Sequence, residues 1–126
     1  MKNMEAFFKS EDCLPKNKKI FVSDRFVDQN EQVLLWEIAA ITEEKNAMVR
    51  QESASQMEYY AKLCVECVVF PDLKDKKLWQ SYDASKPEDA LRKMLYMGEY
   101  MTLIQEIRSL NGFEKRAFAL KEKAKN

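Results

Sequence analysis

Cys67-Val68-Val69-Phe70-Pro71-Asp72-Leu73 is the stretch on which the reading of this chain turns. Its first four residues are uniformly apolar, and Pro71 stops them. Proline has no N–H and disfavours helix at the residue before it, so Phe70 is expected at or just past a helix end. Upstream, Tyr59, Tyr60, Leu63, Cys64, Cys67 and Val68 recur at helical spacing. The run therefore reads as the buried end of a central helix. Ser55 and Glu58 make a capping box that opens this helix, which is expected to reach about Val69.

Toward the C-terminus the pattern continues as short amphipathic segments. Residues 75–82 predict a short helix with Leu78 and Trp79 inward. Ser85-Lys86-Pro87-Glu88 reads as a second capping box with proline in the first turn, opening a helix to about Tyr96 with Leu91, Met94 and Leu95 on its apolar face. Gly98 is read as a break. Residues 99–110 then carry Tyr100, Leu103, Ile104 and Ile107 at i, i+3, i+4, i+7 spacing, and Asn111-Gly112 ends that helix. Asn111 and Glu114 suit a cap for a last helix through Phe118 and Leu120, followed by a solvated tail.

Toward the N-terminus, Thr42 suits the cap of a helix over residues 43–52, with Glu43 and Glu44 at its positive end. Residues 51–56 read as a loop. Residues 20–27 are rich in β-branched and aromatic side chains, residues 28–31 are polar, and residues 32–41 return with Val33, Leu35 and Trp36. This predicts a β-hairpin, although the second half could equally start a helix. Two strands alone are not stable in water, so the hairpin needs helices or another chain against it. Residues 4–9 suit a short helix, too short to stand unsupported. It either docks on its own core or serves as an arm that docks on a partner.

The expected fold is mainly α (α+β): a bundle of short helices with an N-terminal β-hairpin. One domain is expected over residues 1–126, with an arm at 1–17, the hairpin at 18–41, a helical core at 42–113 and a C-terminal helix and tail at 114–126. A chain of 126 residues buries roughly two-thirds of its unfolded surface, enough for one core. Two glycines and three prolines are too few turns for a many-stranded barrel.

Composition also removes function classes. Lysine plus arginine equals aspartate plus glutamate at 21 each, so the basic excess typical of nucleic-acid or anionic-membrane binding is missing. No apolar run approaches the ~20 residues of a membrane helix, and the N-terminus lacks the apolar region of a signal peptide, so a cytoplasmic protein is expected. There is no histidine, which rules out Ser-His and Cys-His catalysis. Cys64-Val65-Glu66-Cys67 is formally C-x-x-C. It falls near a helix C-terminus, where the dipole disfavours a thiolate, and core packing is the expected role. A structural zinc site needs four ligands, and only Cys13 remains. No cofactor, metal or catalytic residue is expected. The tyrosines and the methionines read first as core filling, although methionines on a surface groove would suit adaptable protein binding.

The run at residues 67–73, together with Leu78, Ser81-Tyr82, Ala90-Leu91, Met94-Leu95, Gly98-Glu99-Tyr100 and Leu110-Asn111-Gly112-Phe113, resembles the phage tail assembly chaperones of the XkdN-like family. The resemblance extends back to Ser23-Asp24-Arg25-Phe26 and Trp36-Glu37-Ile38, and so spans residues 18–113. It implies a protein of the bacterial host cytoplasm that binds the tape measure protein, keeps it soluble and helps recruit tail tube subunits. Such a protein is absent from the mature virion. It also implies a possible homo-oligomer and a possible longer form made by frameshifting, with no nucleic acid or membrane partner. The matched positions look like fold determinants, and none is catalytic. The partner-binding surface is expected at the two ends, at Phe7 and Phe8 and at Phe113, Phe118 and Leu120. The alternative is a small helical DNA-binding regulator, suggested by the basic residues between 115 and 125. Zero net charge and the lack of a recognition helix rich in Arg, Asn or Gln count against it.

Overall fold

The computed structural model describes residues 3–112. The central helix α2, Gln56–Cys67, is capped as expected by Ser55, whose hydroxyl accepts from the Glu58 N–H at 3.1 Å. It ends at Cys67, two residues earlier than expected. Val68–Phe70 form a strand, β3. Two valines and a phenylalanine fit a pleated surface, the residue before proline is driven to extended backbone, and pairing with a strand thirty residues earlier decides the run. The Phe70–Pro71 peptide is cis. Only the first half of the apolar run is buried. Cys67 and Val68 lie in the core, whereas Val69 and Phe70 are 49% and 46% exposed.

This third strand gives the hairpin its partner. β1, Lys18–Ile20, pairs antiparallel with β2, Trp36–Ile38, with Lys18 opposite Ile38 and Ile20 opposite Trp36. β2 in turn pairs antiparallel with β3, with Ile38 opposite Val68 and Glu37 opposite Phe70. The sheet order is β1-β2-β3. The second half of the hairpin is therefore strand and not helix. β1 overlaps the expected 20–27 at Ile20 alone, and β2 is shorter than the expected 32–41. Residues 21–35 leave the sheet as an excursion with its own Val27–Val33 bridge. A tight turn closes it, in which the Asp28 carboxylate accepts the N–H groups of Asn30 and Gln32 and Glu31 takes φ 62°.

Four further α-helices lie among the described residues. α1, Glu43–Gln51, is capped by Thr42. α3, Lys76–Ser81, is capped by Asp75. α4, Pro87–Met94, starts with its proline at N1, but Lys86 stands at the cap and the expected Ser85–Glu88 box does not form. α5, Met97–Leu110, begins before Gly98. The break falls at Leu95 and Tyr96, in extended backbone, and Gly98 sits inside the first turn. The Glu99 carboxylate reaches back to accept the Tyr96 N–H at 2.9 Å, which settles the new helix start there. The expected helix at residues 4–9 is a single 3-10 turn, Met4–Phe7, followed by another at Glu11–Cys13.

α2 packs on α1, α4 and α5, and α3 packs on α4. Trp36, Ile38, Leu73, Leu91, Leu103 and Ile107 are fully buried between these helices and the sheet. Asn111 ties the far end together. Its Oδ1 accepts the Ile41 N–H at 2.9 Å, and its Nδ2 donates to the Ile107 carbonyl at 2.8 Å and lies 3.8 Å from the Cys67 sulfur. Gly112 follows at φ 92°, a left-handed conformation that suits glycine at a helix end. The helix expected beyond it lies outside the described residues.

Candidate functional site

A groove of about 170 Å³ opens beside β3. Phe70 and Pro71 form one wall, Leu78 and Tyr82 of the α3 segment another, and Phe26, Leu34, Trp36 and Met94 the remainder. No charged side chain lines it. The Phe26 and Trp36 rings meet at 6.1 Å in a tilted arrangement, worth about 0.5–1.5 kcal/mol beyond burial alone. The groove depends on the feature the helical reading missed. Because residues 68–70 are extended, Phe70 stands at the sheet edge, where it flanks the groove without closing it.

Arg25 holds the 21–35 excursion in place. Its guanidinium donates to both Glu99 oxygens, at 2.9 and 2.6 Å, and to the Met94 carbonyl at 2.9 Å. The same group lies over the Phe26 ring at 4.8 Å and the Tyr96 ring at 4.7 Å. The Ser23 hydroxyl accepts the Arg25 N–H at 3.1 Å. The Arg25 bond holds the Glu99 carboxyl down at about 2. Two-pronged pairing fixes orientation as well as distance, so Arg25 aims Phe26 at the groove. On the neighbouring surface of α5, Tyr96, Met97 and Met101 are exposed, an adaptable apolar strip of the kind methionines provide.

The expected partner-binding residues are not brought together. Phe7 and Phe8 are 81% and 60% exposed on the N-terminal arm, where Met4 and Leu14 are exposed too. Phe113, Phe118 and Leu120 lie outside the described residues. The cysteine pair does what the sequence suggested. Burial pushes the Cys67 thiol up to about 11, and Cys64, fully enclosed, is pushed up further. Neither is a ready nucleophile. Among the described residues no cluster of His, Cys, Asp and Glu could hold a metal, and no helix is long and apolar enough to cross a membrane.

What this geometry offers is exposed apolar surface. Comparison with known proteins gives it a context. Residues 4–125 match the profile of the phage XkdN-like tail assembly chaperone proteins. The chain belongs to this family. It is 27% identical over 123 residues to the phage-like element PBSX protein XkdN of Bacillus subtilis (strain 168), a match covering 86% of this chain and 83% of that protein. It is 28% identical over 120 residues to the uncharacterized protein YqbN of the same strain, covering 83% and 80%. The crystal structure of the protein YqbN superposes with a TM-score of 0.81 at 24% identity, over 90% of this chain and 99% of that one, and so shares its fold.

Of the eight groove residues, all but Leu34 were among the positions that carried the family resemblance, as were Arg25 and Glu99. Among them, Phe70, Pro71 and Tyr82 are expected from the sequence as fold determinants. Nothing in periodicity could have gathered them, because the excursion that delivers Phe26 and Leu34 has no regular period.

Proposed function

We propose that this tail assembly chaperone binds the tape measure protein of a long phage tail, keeps it soluble and extended, and helps bring tail tube subunits to it. Family membership over residues 4–125 carries this reading. The exposed apolar strip of Tyr96, Met97 and Met101 supports it, because a holding chaperone needs apolar surface that covers another chain's helices reversibly. No covalent chemistry is required, and the buried thiols fit a non-catalytic role. The protein would act as one domain in the bacterial host cytoplasm and leave before the virion is complete, with nucleic acid and membrane playing no part. A homo-oligomer and a frameshifted longer form are both compatible with this role.

The C-terminal apolar residues Phe113, Phe118 and Leu120 belong to the proposed client contact, with Phe7 and Phe8 at the other end as further apolar surface. The test is co-expression with the tape measure protein, followed by size-exclusion chromatography with light scattering. The client is expected to be insoluble alone and to co-elute with several copies of this chain. A client that still precipitates while this chain elutes alone would remove the proposal. A chain truncated after Phe113 should keep its helical signal and retain less client in a pull-down, and unchanged retention would remove the C-terminal contact.

A further inference from the structure

A second cleft, of about 150 Å³, is lined by the start of α1, the first half of α2 and the end of α5. α1 and α5 both pack on α2. The polar side chains of the cleft already have partners. The Tyr59 hydroxyl donates to Asn46 Oδ1, and Asn46 Nδ2 donates to Glu43 at 3.0 Å. Thr42 Oγ1 accepts the Lys45 N–H at 3.2 Å. The Asn111 amide is taken up by Ile41 and Ile107, and Arg108 is engaged as well. What the cleft still offers is apolar: Ile41, Leu63 and Ile107. An apolar cavity of about 150 Å³ accommodates one benzene ring, so a single phenylalanine side chain matches it.

The end of α5 delivers such a ring to this place. Asn111 is the C-cap of α5, and Gly112 follows at φ 92°. The Gly112 N–H donates to the Ser109 carbonyl at 3.1 Å. A left-handed glycine with this bond is half of a common helix-ending motif. The residue after the glycine completes it, by donating to a carbonyl of the last turn and packing an apolar side chain against that turn. Here that residue is Phe113, and the turn carries Ile107, which lines the cleft.

Charge agrees with the segment. Residues 113–126 hold five basic and two acidic side chains, so in a chain of zero net charge they carry +3 and the rest carries −3. At the cleft, Glu43 and Glu44 stand in the first turn of α1 with no ion-pair partner among the described residues, whereas Lys45 pairs with Glu66. Arg108 is the cation of the lining. Phe113 is followed by Glu114, opposite in sign to Arg108, and by Lys115 and Arg116, opposite in sign to Glu43 and Glu44. The tether decides which copy is reached. Phe113 is two residues past Asn111, itself part of the lining, and so at most ~7 Å of chain away. A link this short gives an effective concentration on the order of millimolar or more, above that of a second copy in dilute solution.

We propose that Phe113 seats in the α1–α2–α5 cleft of its own chain and fastens residues 113–126 to the body. The inference does not rest on the client reading. Where that reading holds, Phe113 serves the client by fixing the point from which Phe118 and Leu120 are presented.

The test reads the contact in the full chain by nuclear Overhauser effects. The Phe113 ring protons should show cross-peaks to the methyl groups of Ile107 and Leu63. In an equal mixture of isotope-labelled and unlabelled chains, an experiment filtered for contacts between copies should show none of them. Phe113→Ser should speed amide exchange several-fold at Ile41, whose N–H is held by Asn111 beside the cleft, and Phe113→Leu should restore most of the protection. Phe118→Ser should leave that rate unchanged. A Phe113 ring without cross-peaks to the cleft would overturn the proposal. Cross-peaks that arise only between copies would overturn it in favour of a subunit contact. An Ile41 rate unmoved by Phe113→Ser, or moved as much by Phe118→Ser, would overturn it as well.

Discussion

α5 and the N-terminal arm are both rich in large apolar residues, and they meet opposite fates. In α5, Leu103, Ile104 and Ile107 are buried. In the arm, Met4, Phe7, Phe8 and Leu14 are all exposed. Content does not separate them; period and length do. α5 has fourteen residues, so its apolar positions line up on one face and pack on α2. The arm's two 3-10 turns, of four and three residues, make no continuous face and cannot sustain a helix. Its rings are left exposed. The lesson is that period and length, and not apolar content, decide which residues the core collects.

The sharpest way to stress this contrast is to weaken the collected side. Leu103→Ala should destabilise by about 2–5 kcal/mol in chemical denaturation, because the side chain is fully buried and its removal leaves a cavity. Asn111→Ala should cost about 1–3 kcal/mol in the same measurement, since the Ile41 N–H loses its acceptor.

Arg25→Ala probes the boundary between the two regions. It should lower the melting midpoint at neutral pH by several degrees by freeing the 21–35 excursion. The pH dependence follows from Glu99. Its folded carboxyl is held at about 2 against an ordinary 4.5, so the stabilisation is complete above 4.5 and is lost as pH falls toward 2. The gap between wild type and Arg25→Ala should therefore narrow over that window, leaving the part carried by the Met94 carbonyl and the two rings. A gap that does not change with pH would detach Arg25 from Glu99. On the uncollected side, Phe7→Ser with Phe8→Ser should change folding stability by less than about 0.5 kcal/mol, as for surface substitutions elsewhere. A larger loss would mean that the arm packs on its own body after all.

Most helices were legible because their signals are local. Thr42, Ser55 and Asp75 cap as their residue types suggest, and the Tyr100–Leu103–Ile104–Ile107 stripe faces the core as spaced. β3 was not legible, because Val68 continues the helical spacing of Cys64 and Cys67 while belonging to a strand. Only pairing with β2, thirty residues earlier, decides between the two. Gly98 misled for a related reason. It resembles a breaker, yet the Glu99 carboxylate two residues past Met97 allows the helix to start ahead of it. The Arg25–Glu99 clasp joins positions 74 residues apart, and no spacing rule reaches that far. The groove was invisible for the same cause: its walls come from the excursion, the sheet edge, α3 and α4.

The most direct test of the chaperone reading dilutes denatured tape measure protein into buffer and follows light scattering with and without this chain. Scattering that is suppressed in proportion to added chain, and levels off at a fixed ratio of chain to client, is the result expected of a holding chaperone. Scattering that rises equally in the presence of this chain and of an unrelated protein at the same concentration would contradict it.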